Sequence, residues 1–368
     1  MKVALPFCSA LYANGLSRIE GDIPGRPIFF GKVEVPLPDI SEPEFNFRSC
    51  RLIAWAVADM KPQIDAAIAR YGRNRVAVVL GASNTGVDEA EDHIDESFGR
   101  SPESAGRFPP EFRFSMLELG SPSEYLAKAT GAEGPCYTIS TACSSSAKAF
   151  PAARRLIEAG FCDAAIVGGV DGRCRFAMNG FNALGALAQE RCRPLAADRD
   201  GICLGEGVAL FIMERDPVAD KGDGSCSVLL SGAGESSDAY HATAPDPEGR
   251  GAEAAMRAAL ADAGCSADDV DYVNLHGTGT QANDEMEMKA VRRVFGETLR
   301  SDSAAKPLVV ESTKSLTGHC LGAAGAVEAA ICWRRIRAGE VRRAISNSFA
   351  FGGSNASILL EAAGGLGD

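Results

Sequence analysis

Short, strongly apolar segments recur along the chain between alanine-rich segments that have helical periodicity. The apolar segments lie at residues 75–83, 163–170, 207–215, 227–234, 272–277, 307–313 and 356–362. The alanine-rich segments lie at residues 50–70, 145–159, 251–263, 284–295 and 323–337. Apolar runs of this length are typical of strands that are buried on both faces, with helices packed on those faces. The pattern therefore predicts an α/β fold built from layers of sheet and helix.

Two distant parts of the chain share one pattern. They are "YTISTACSSSAKAFPAARRL" at 137–156 and "VVESTKSLTGHCLGAAGAVEAA" at 309–330. Each has a strand-like start, a turn of small residues and an alanine-rich helix, which indicates a duplicated unit. Residues 216–226 are rich in Pro, Gly and Asp, as surface connections are. We predict an N-terminal half at 1–215 and a C-terminal half at 227–368, joined by that connection and folded as one unit.

Composition argues against several classes of partner and cofactor. The net charge is −12, whereas nucleic-acid binding needs a basic face. No apolar run approaches the roughly 20 residues of a membrane helix, and no signal peptide is evident at the start. The glycine-rich "GASNTG" is not followed by the Lys-Ser/Thr pair of a P-loop, so no nucleotide cofactor is predicted. The 12 cysteines contain no C-x-x-C pair, so reduced thiols in the cytoplasm are expected.

Cys143 lies where a strand-like segment runs into an alanine-rich one, followed by three serines. A helix N-terminus carries partial positive charge and free N–H groups, and both stabilise the thiolate that acts as a nucleophile. The backbone N–H of Cys143 could also face a developing oxyanion. The alternative is a small buried cysteine in a tight turn. On this segment alone, the sequence favours neither interpretation.

The chain has four histidines, and two of them stand just past strand-like segments. His276 lies in "NLHGTGTQ" and His319 in "SLTGHCLG". Loops at strand ends are where α/β proteins place their sites, although a lone buried histidine is more often structural. The segment "FAFGGSNAS" at 349–357 predicts either an ordinary turn or a gated loop with glycine hinges.

Six motifs in one order resemble the β-ketoacyl-acyl-carrier-protein synthases, which are elongating condensing enzymes of the thiolase superfamily. The motifs are "STACSSS" (140–146), "GGVD" (168–171), "RPLAADRDGICLGEGVA" (193–209), "HGTGTQANDEMEMKA" (276–290), "KSLTGHCLGAAGAVE" (314–328) and "NSFAFGGSNAS" (347–357). The resemblance implies a thiolase-like, duplicated five-layer αβαβα fold. It also implies a short, specialised member of aryl polyene or polyketide-like type.

The resemblance assigns a role to each residue of the catalytic set. Cys143 would take the acyl chain from the carrier protein as a thioester. His276 and His319 would assist decarboxylation of the malonyl thioester and stabilise the enolate. Lys314 would keep this network in order, with Glu287 as its partner. The implied reaction is decarboxylative Claisen condensation with malonyl-acyl carrier protein, in fatty acid, aryl polyene or polyketide-like biosynthesis.

The same resemblance implies how substrate is bound and where it enters. Thr278 and Thr280 would hydrogen-bond the phosphopantetheine arm of the carrier. The N–H groups of Cys143 and Phe351 would form the oxyanion hole. Phe349 and Phe351 would border the acyl entrance. No cofactor is required beyond the arm that delivers the substrate.

The resemblance also implies a set of residues that binds a cation and a set that docks the carrier protein. A structural cation would be held by Asn274, Glu328, Ser346 and Asn355. Because the carrier is acidic in this family, a basic docking patch is expected at Arg48, Arg51 and Arg193.

We expect a dimer, either of identical chains or with a chain-length-factor-like chain. A catalytically dead partner usually lacks the cysteine, so the retained Cys143 favours an active subunit. An esterase would need a G-x-S-x-G elbow, which the chain lacks.

The chain departs from the family pattern in two places. Only 17 residues separate Glu328 from Ser346, where the elongating enzymes carry a longer loop and strand. Leu195 and Ala196 replace the usual aromatic residue and aspartate. Both differences bear on the pocket shape and the carrier-docking face, and neither touches the catalytic set.

Overall fold

The computed structural model describes residues 1–99, 108–215, 227–296 and 307–364, and the predicted connection at 216–226 lies outside these ranges. The strands are β1 (Val3–Tyr12), β2 (Ser17–Ile19), β3 (Ile28–Gly31), β4 (Val76–Gly81), β5 (Cys136–Ile139), β6 (Ala164–Asp171), β7 (Leu204–Gly205), β8 (Gly207–Glu214), β9 (Val228–Ser237), β10 (Tyr272–Asn274), β11 (Val309–Glu311), β12 (Arg343–Phe349) and β13 (Ser354–Ala362). The α-helices are α1 (Arg48–Tyr71), α2 (Val87–Gly99), α3 (Ser121–Thr130), α4 (Ser145–Glu158), α5 (Arg175–Ala183), α6 (Arg250–Ala263), α7 (Gln281–Phe295), α8 (Lys314–Thr317) and α9 (Ala324–Arg337). All the strands and helices predicted from the sequence pattern are confirmed.

The strand order repeats itself in two halves. The large sheet runs β11-β10-β12-β13-β9-β1-β8-β6-β4-β5. In the N-terminal half, β4 pairs in parallel with β5 and β6, and β8 then joins β6 to β1 by antiparallel pairing. In the C-terminal half, β10 pairs in parallel with β11 and β12, and β13 joins β12 to β9 by antiparallel pairing. The topology therefore supports the duplication, and the division into halves at 1–215 and 227–368 stays a prediction.

Helices divide the fold into five layers. Helices α4 and α9 pack against each other, and each contacts strands of both halves, so they form the central layer. Helices α1 and α3 cover the outer face of the N-terminal half, and α6 and α7 cover that of the C-terminal half. The two sets of strands also meet at one edge, where β1 pairs with β9 at Val3–Leu230 and Ala4–Leu229. The predicted five-layer αβαβα arrangement is thus confirmed.

Burial follows from this layering. Strands β4, β6 and β8 are buried at every residue, as expected for strands between two helical layers. A three-stranded sheet of β2, β3 and β7 lies apart from the large sheet. No helix in the described part of the chain has the length and apolarity needed to cross a bilayer.

Two glycines set how closely α4 approaches the sheet. A Cβ on Gly81 would lie 2.1 Å from the Ser146 backbone nitrogen, and a Cβ on Gly169 would lie 2.4 Å from the Ser146 Cβ. On its other side, α4 meets α9, where a Cβ on Gly325 would lie 2.6 Å from the Ala147 nitrogen. The start of α4, just after Cys143, is therefore fixed by backbone contacts on both sides.

The shortened connection before β12 lies away from the catalytic end of the strand. Helix α9 ends at Arg337 and β12 begins at Arg343, whereas the strand ends at Phe349. At ~3.3 Å per residue, the six steps along β12 span about 20 Å. At the near end, the Arg335 guanidinium lies 4.3 Å from the centre of the Tyr272 ring. The shortened connection therefore lies at the end of β12 opposite Phe349.

We predict that Gly81→Ala lowers the free energy of unfolding by about 3 kcal/mol, near the upper end for overpacking a core. The added methyl must displace the backbone of α4, which cannot yield as a side-chain end can. Gly180→Ala is the matched control, since nothing lies within 4 Å of its added Cβ; this change should raise stability by up to about 1 kcal/mol. Urea unfolding measures the free energy of unfolding of both variants. Equal stability of both variants would contradict this account of α4 packing.

Candidate active site

Cys143 sits on a tight turn between β5 and α4. The preceding residue, Ala142, has a left-handed φ of 52°, which is strained for a residue with a Cβ. The Ser145 hydroxyl accepts from the Thr141 N–H at 2.9 Å and donates to the Ala142 carbonyl at 2.6 Å. The Ser144 hydroxyl donates to the Thr141 carbonyl at 2.9 Å. The serines therefore hold the turn, and the helix begins two residues after the cysteine.

His319 reaches Cys143 from the other half of the fold. Its Nε2 lies 3.0 Å from the Cys143 Sγ. A backbone ladder fixes the histidine, because the His319 N–H donates to the Cys203 carbonyl at 2.8 Å and the Gly205 N–H donates to the His319 carbonyl at 3.0 Å. All these groups are buried. The nucleophile and its nearest base thus come from different halves.

His276 completes the group. Its ring lies 5.2 Å from the His319 ring, centre to centre, at an interplanar angle of 83°. One ligand atom each of Cys143, His276 and His319 lies within 4.8 Å of the other two. The structure therefore brings together the three residues that the sequence singled out.

Two backbone N–H groups point at the Cys143 sulfur, one from Phe351 and one from Cys143 itself. The Phe349 ring lies 6.3 Å from the His276 ring, and the Phe351 ring lies 5.5 Å from that of Phe181. These side chains border a cavity of about 450 Å³. These groups lie beside Cys143, where an oxyanion hole and an acyl entrance would be needed, and both roles stay predictions.

Lys314 is buried beside the histidines, and its partner differs from the predicted one. Its ammonium donates to the His276 carbonyl at 2.5 Å and pairs with Glu328. Glu287 instead accepts from the backbone N–H groups of His276 at 2.8 Å and Gly277 at 2.7 Å. The prediction that Glu287 partners Lys314 is therefore wrong, because Glu287 is used to fix the histidine loop.

Burial sets the protonation of the site. It lowers the pKa of His276 and of His319 well below the ordinary value, and the Lys314 charge lowers both further. Burial raises the pKa of Cys143 to about 11 and the pKa of Glu328 to about 7. At neutral pH, the pair is a thiol facing a neutral imidazole. The imidazole can then take the thiol proton when a substrate arrives.

The predicted arm-binding threonines line the same cavity. The Thr278 and Thr280 hydroxyls lie 3.0 Å apart, and Thr280 caps α7 by accepting from the Asn283 N–H at 3.3 Å. Both offer uncharged hydrogen-bonding groups to a polar chain in the cavity.

Several cavity residues carried no signal in the sequence. They are Phe181, Leu184, Arg199, Asp200, Thr243 and Pro245. Arg199 and Asp200 fall in the motif at 193–209, which implied no role for either of them. The others come from the end of α5, from the residue that follows it and from the loop before α6, which reach the cavity only through the tertiary fold.

The three predicted docking arginines have different environments. The Arg48 guanidinium binds both oxygens of Glu206, whose side chain is fully buried. Arg51 donates to the Asn46 side chain at 2.9 Å. Arg193 is 58% exposed and pairs with Asp198. Docking by Arg48 is therefore wrong, because its charge is neutralised inside the fold.

Three of the four predicted cation ligands have buried oxygens without a hydrogen-bond partner in the described residues. They are Asn274 Oδ1, Glu328 Oε2 and Ser346 Oγ. Asn274 and Ser346 stand side by side in the pairing of β10 with β12. An oxygen-only set with one carboxylate suits a hard cation, so these three residues fit such a group.

Asn355 does not join that set. It opposes Phe349 on β12, three pairs along from the partner of Ser346. Its amide donates to Ser236 at 3.2 Å and to Asp238 at 2.7 Å. The prediction of Asn355 as a cation ligand is wrong because of this strand register.

Comparison with protein families gives two adjoining matches. Residues 55–219 match the N-terminal domain of β-ketoacyl synthase, and residues 227–347 match its C-terminal domain. Together the two matches contain the cysteine, both histidines and the lysine described above.

Relatives and solved structures agree with these matches. The chain is 32% identical to 3-oxoacyl-acyl-carrier-protein synthase 2 of Staphylococcus aureus, covering 86% of this chain and 84% of that protein. It is 38% identical to Nodulation protein E of Rhizobium meliloti, where the match covers 64% of each chain and thus less than two thirds of that protein. A solved ketosynthase (ApeO), in complex with its chain length factor (ApeC) from Xenorhabdus doucetiae, superposes with a TM-score of 0.88 at 38% identity, covering 98% of both chains.

We predict that Cys143 is a protonated thiol in the resting protein at pH 9 and below. Burial disfavours the thiolate, so the folded pKa of about 11 exceeds the ordinary 9.0. The folded state then holds the proton more tightly, and this group's contribution to stability falls as pH rises from about 9 to 11. The ultraviolet thiolate absorbance of the wild type minus that of Cys143→Ala should stay near zero up to pH 9. A difference that titrates at or below neutral pH would show a resting thiolate–imidazolium pair instead.

Proposed function

The chain belongs to the β-ketoacyl synthase family of acyl-transferring condensing enzymes, and we propose that it joins an acyl group held on Cys143 to a malonyl group carried by an acyl carrier protein. The observation that carries this proposal is the contact of 3.0 Å between the Cys143 sulfur and His319 Nε2. A second neutral histidine and two N–H donors share the same buried cavity. A thioester carbonyl bound there would meet a nucleophile, a base and an oxyanion hole at once.

The first half-reaction transfers the acyl group. The thiol proton of Cys143 passes to His319 Nε2, and the sulfur attacks the carrier thioester. The N–H groups of Cys143 and Phe351 donate to the oxyanion of the tetrahedral intermediate. The carrier thiolate then leaves and takes up a proton from the imidazolium. His319 is neutral again, and the acyl group is held on the cysteine.

The second half-reaction forms the carbon–carbon bond. Loss of carbon dioxide from the malonyl group leaves negative charge on its thioester oxygen. Neutral His276 donates a hydrogen bond to that oxygen in a cavity that excludes most water. His319 does the same once its ring proton has moved from Nδ1 to Nε2. The resulting carbanion attacks the acyl carbonyl, and Cys143 leaves as a thiolate that regains a proton. The product is a β-ketoacyl group on the carrier.

The cavity suits substrates that arrive on an arm. Thr278 and Thr280 offer hydroxyls near the cysteine, where an amide-containing phosphopantetheine chain needs hydrogen bonds. No separate cofactor enters this scheme. We place the reaction in the cytoplasm, since the nucleophile must remain a reduced thiol.

We further propose that the chain is the catalytic half of a dimer with a chain-length-factor-like chain, in an aryl polyene or polyketide-like pathway. The support is the likeness to the Xenorhabdus doucetiae ketosynthase, which was solved with its chain length factor. The retained Cys143, His276 and His319 favour the active role over the inactive one. A dimer of identical chains is the alternative.

The buried oxygens of Asn274, Glu328 and Ser346 would hold a structural cation. Bound there, it would balance part of the Glu328 charge on the side that Lys314 does not face. Its effect on catalysis would be indirect, through the position of Lys314.

We predict that Cys143→Ala abolishes acyl-enzyme formation and leaves the fold intact, since alanine fills most of the thiol's volume. His276→Ala should keep acylation better than condensation, with condensation lower by on the order of 100- to 1,000-fold, as for loss of an oxyanion donor. His319→Ala should lower acylation as well as condensation, because it also removes the base that takes the Cys143 proton. Intact-protein mass spectrometry measures acylation, and release of β-ketoacyl product measures condensation. Acyl mass on Cys143→Ala would mean another nucleophile. Full condensation in a histidine variant would remove that histidine from the scheme.

We predict that Arg193→Glu raises the KM for the acyl carrier protein about fivefold with little change in kcat, as reversal of an exposed charge acts on association. Arg193 lies in the loop that also brings Arg199 to the cavity. The matched control is Arg73→Glu. Arg73 is similarly exposed at 59% but precedes β4, at the end of the sheet opposite the start of α4. The same KM in both variants would place carrier docking elsewhere.

A further inference from the structure

Cys192 and Cys203 form a buried pair of thiols beside the segments that carry His319 and Lys314. The Cys192 N–H donates to the Cys203 sulfur at 3.1 Å, which places the two side chains next to each other, and each thiol shifts the pKa of the other. Their exposures are 1% and 2%. The residues are 11 positions apart, and their spacing fits none of the cysteine motifs sought in the sequence. The mechanism above uses neither of them.

Each member of the pair touches a catalytic segment. The Cys203 carbonyl accepts the hydrogen bond from the His319 N–H at 2.8 Å. The Cys192 sulfur lies 3.4 Å from the Lys314 carbonyl. The backbone positions of the base and of the buried lysine therefore depend on where these two cysteines lie.

The pair also lies next to the cavity. Gly201, two residues before Cys203, lines the cavity. Gly279 stands between the two arm-binding threonines, and a Cβ placed on it would lie 3.6 Å from the Cys192 Cβ. A small neutral molecule that enters the cavity thus comes within a residue or two of the thiols.

We propose that Cys192 and Cys203 are an oxidisable dithiol, and that peroxide converts it to a disulfide that slows condensation. The Cys192 sulfur attacks one peroxide oxygen and becomes a sulfenic acid, and the released hydroxide takes a proton to leave as water. The Cys203 sulfur then attacks the sulfenic sulfur and a second water leaves. Two thiols and one hydrogen peroxide thus give one disulfide and two waters.

The environment assigns the order of these steps. The hydrogen bond from Cys203 lowers the pKa of Cys192, whereas the same bond and burial raise the pKa of Cys203 well above its ordinary value. Cys192 is therefore the attacking sulfur and Cys203 is the resolving one.

Formation of the disulfide must move the backbone. Bonded sulfurs are about 2.05 Å apart, which is closer than hydrogen-bonded thiols, so the two segments have to approach each other. That movement shifts the carbonyl that holds His319 and the contact at Lys314. A displacement of about 1 Å at a catalytic group can cost on the order of 100-fold in rate.

The rate effect rests on the proposed condensation, so the test reads the disulfide separately. Cys143 is first protected as its acyl thioester by an acylated carrier protein. The acyl-enzyme is then treated with hydrogen peroxide, and peptide mapping follows the Cys192–Cys203 cross-link. Malonyl-carrier is added to one portion directly and to another after a phosphine reductant, which spares the thioester. We expect the cross-linked peptide, condensation slowed at least about tenfold, and recovery after reduction.

Variants separate this pair from the other thiols. In Cys192→Ala, peroxide should leave the condensation rate of the acyl-enzyme unchanged, while Cys265→Ala, which removes a half-buried thiol elsewhere, should respond as the wild type does. The wild-type measurement needs no variant to fold. Absence of the cross-link, or a cross-linked enzyme that condenses at the untreated rate, would overturn the proposal. An untreated acyl-enzyme that fails to condense would count against the proposed function, because the cross-link is scored by mass alone.

Discussion

The ion pair between Lys314 and Glu328 is the interaction on which the site depends. Removing two charges from water is costly unless they are paired and hydrogen-bonded, and here the lysine also binds the His276 carbonyl. The buried positive charge lowers the pKa of both histidines, in addition to the effect of burial. It therefore keeps two N–H donors neutral beside an enolate, and leaves one imidazole free to accept the thiol proton. A charged imidazole could not serve as that base.

Duplication explains why the nucleophile and the base meet. In each half, a strand leads through a turn of small residues into a central helix, α4 in one half and α9 in the other. Cys143 lies in the first of these turns and His319 in the second. The two helices pack closely, since the Ser146 hydroxyl accepts from the Ala326 N–H at 2.9 Å. Equivalent positions of the two units are therefore brought face to face at the centre of the fold, where neither half alone could form the site.

The sequence predicted the strands that are apolar throughout and missed several others, of which β12 shows why. β4, β6 and β8 were found because every residue is buried. β12 escaped because Ser346, Asn347 and Ser348 interrupt its apolar character, although all three are buried. Asn347 hydrogen-bonds to Glu287 and Ser357. Hydropathy does not reveal that a polar residue is buried in order to make such contacts. For Cys143 the segment alone left two interpretations open, and only the contact with His319 decides between them.

Residue type was a good guide to which side chains have a role in the fold or the site. It was a poorer guide to the residues that those side chains contact. Arg48 was expected on a docking surface from its charge, yet Glu206 is completely buried and also accepts the Val33 and Arg173 N–H groups. A carboxylate in that position needs a cation as well as neutral donors, because hydrogen bonds alone do not offset the loss of hydration. Arg48 supplies that cation, so the Arg48 charge is used to neutralise Glu206 and does not serve carrier docking. An acidic carrier must then be recognised by cations that remain exposed near the cavity, and of the three predicted arginines Arg193, on the 193–200 loop, meets that condition best.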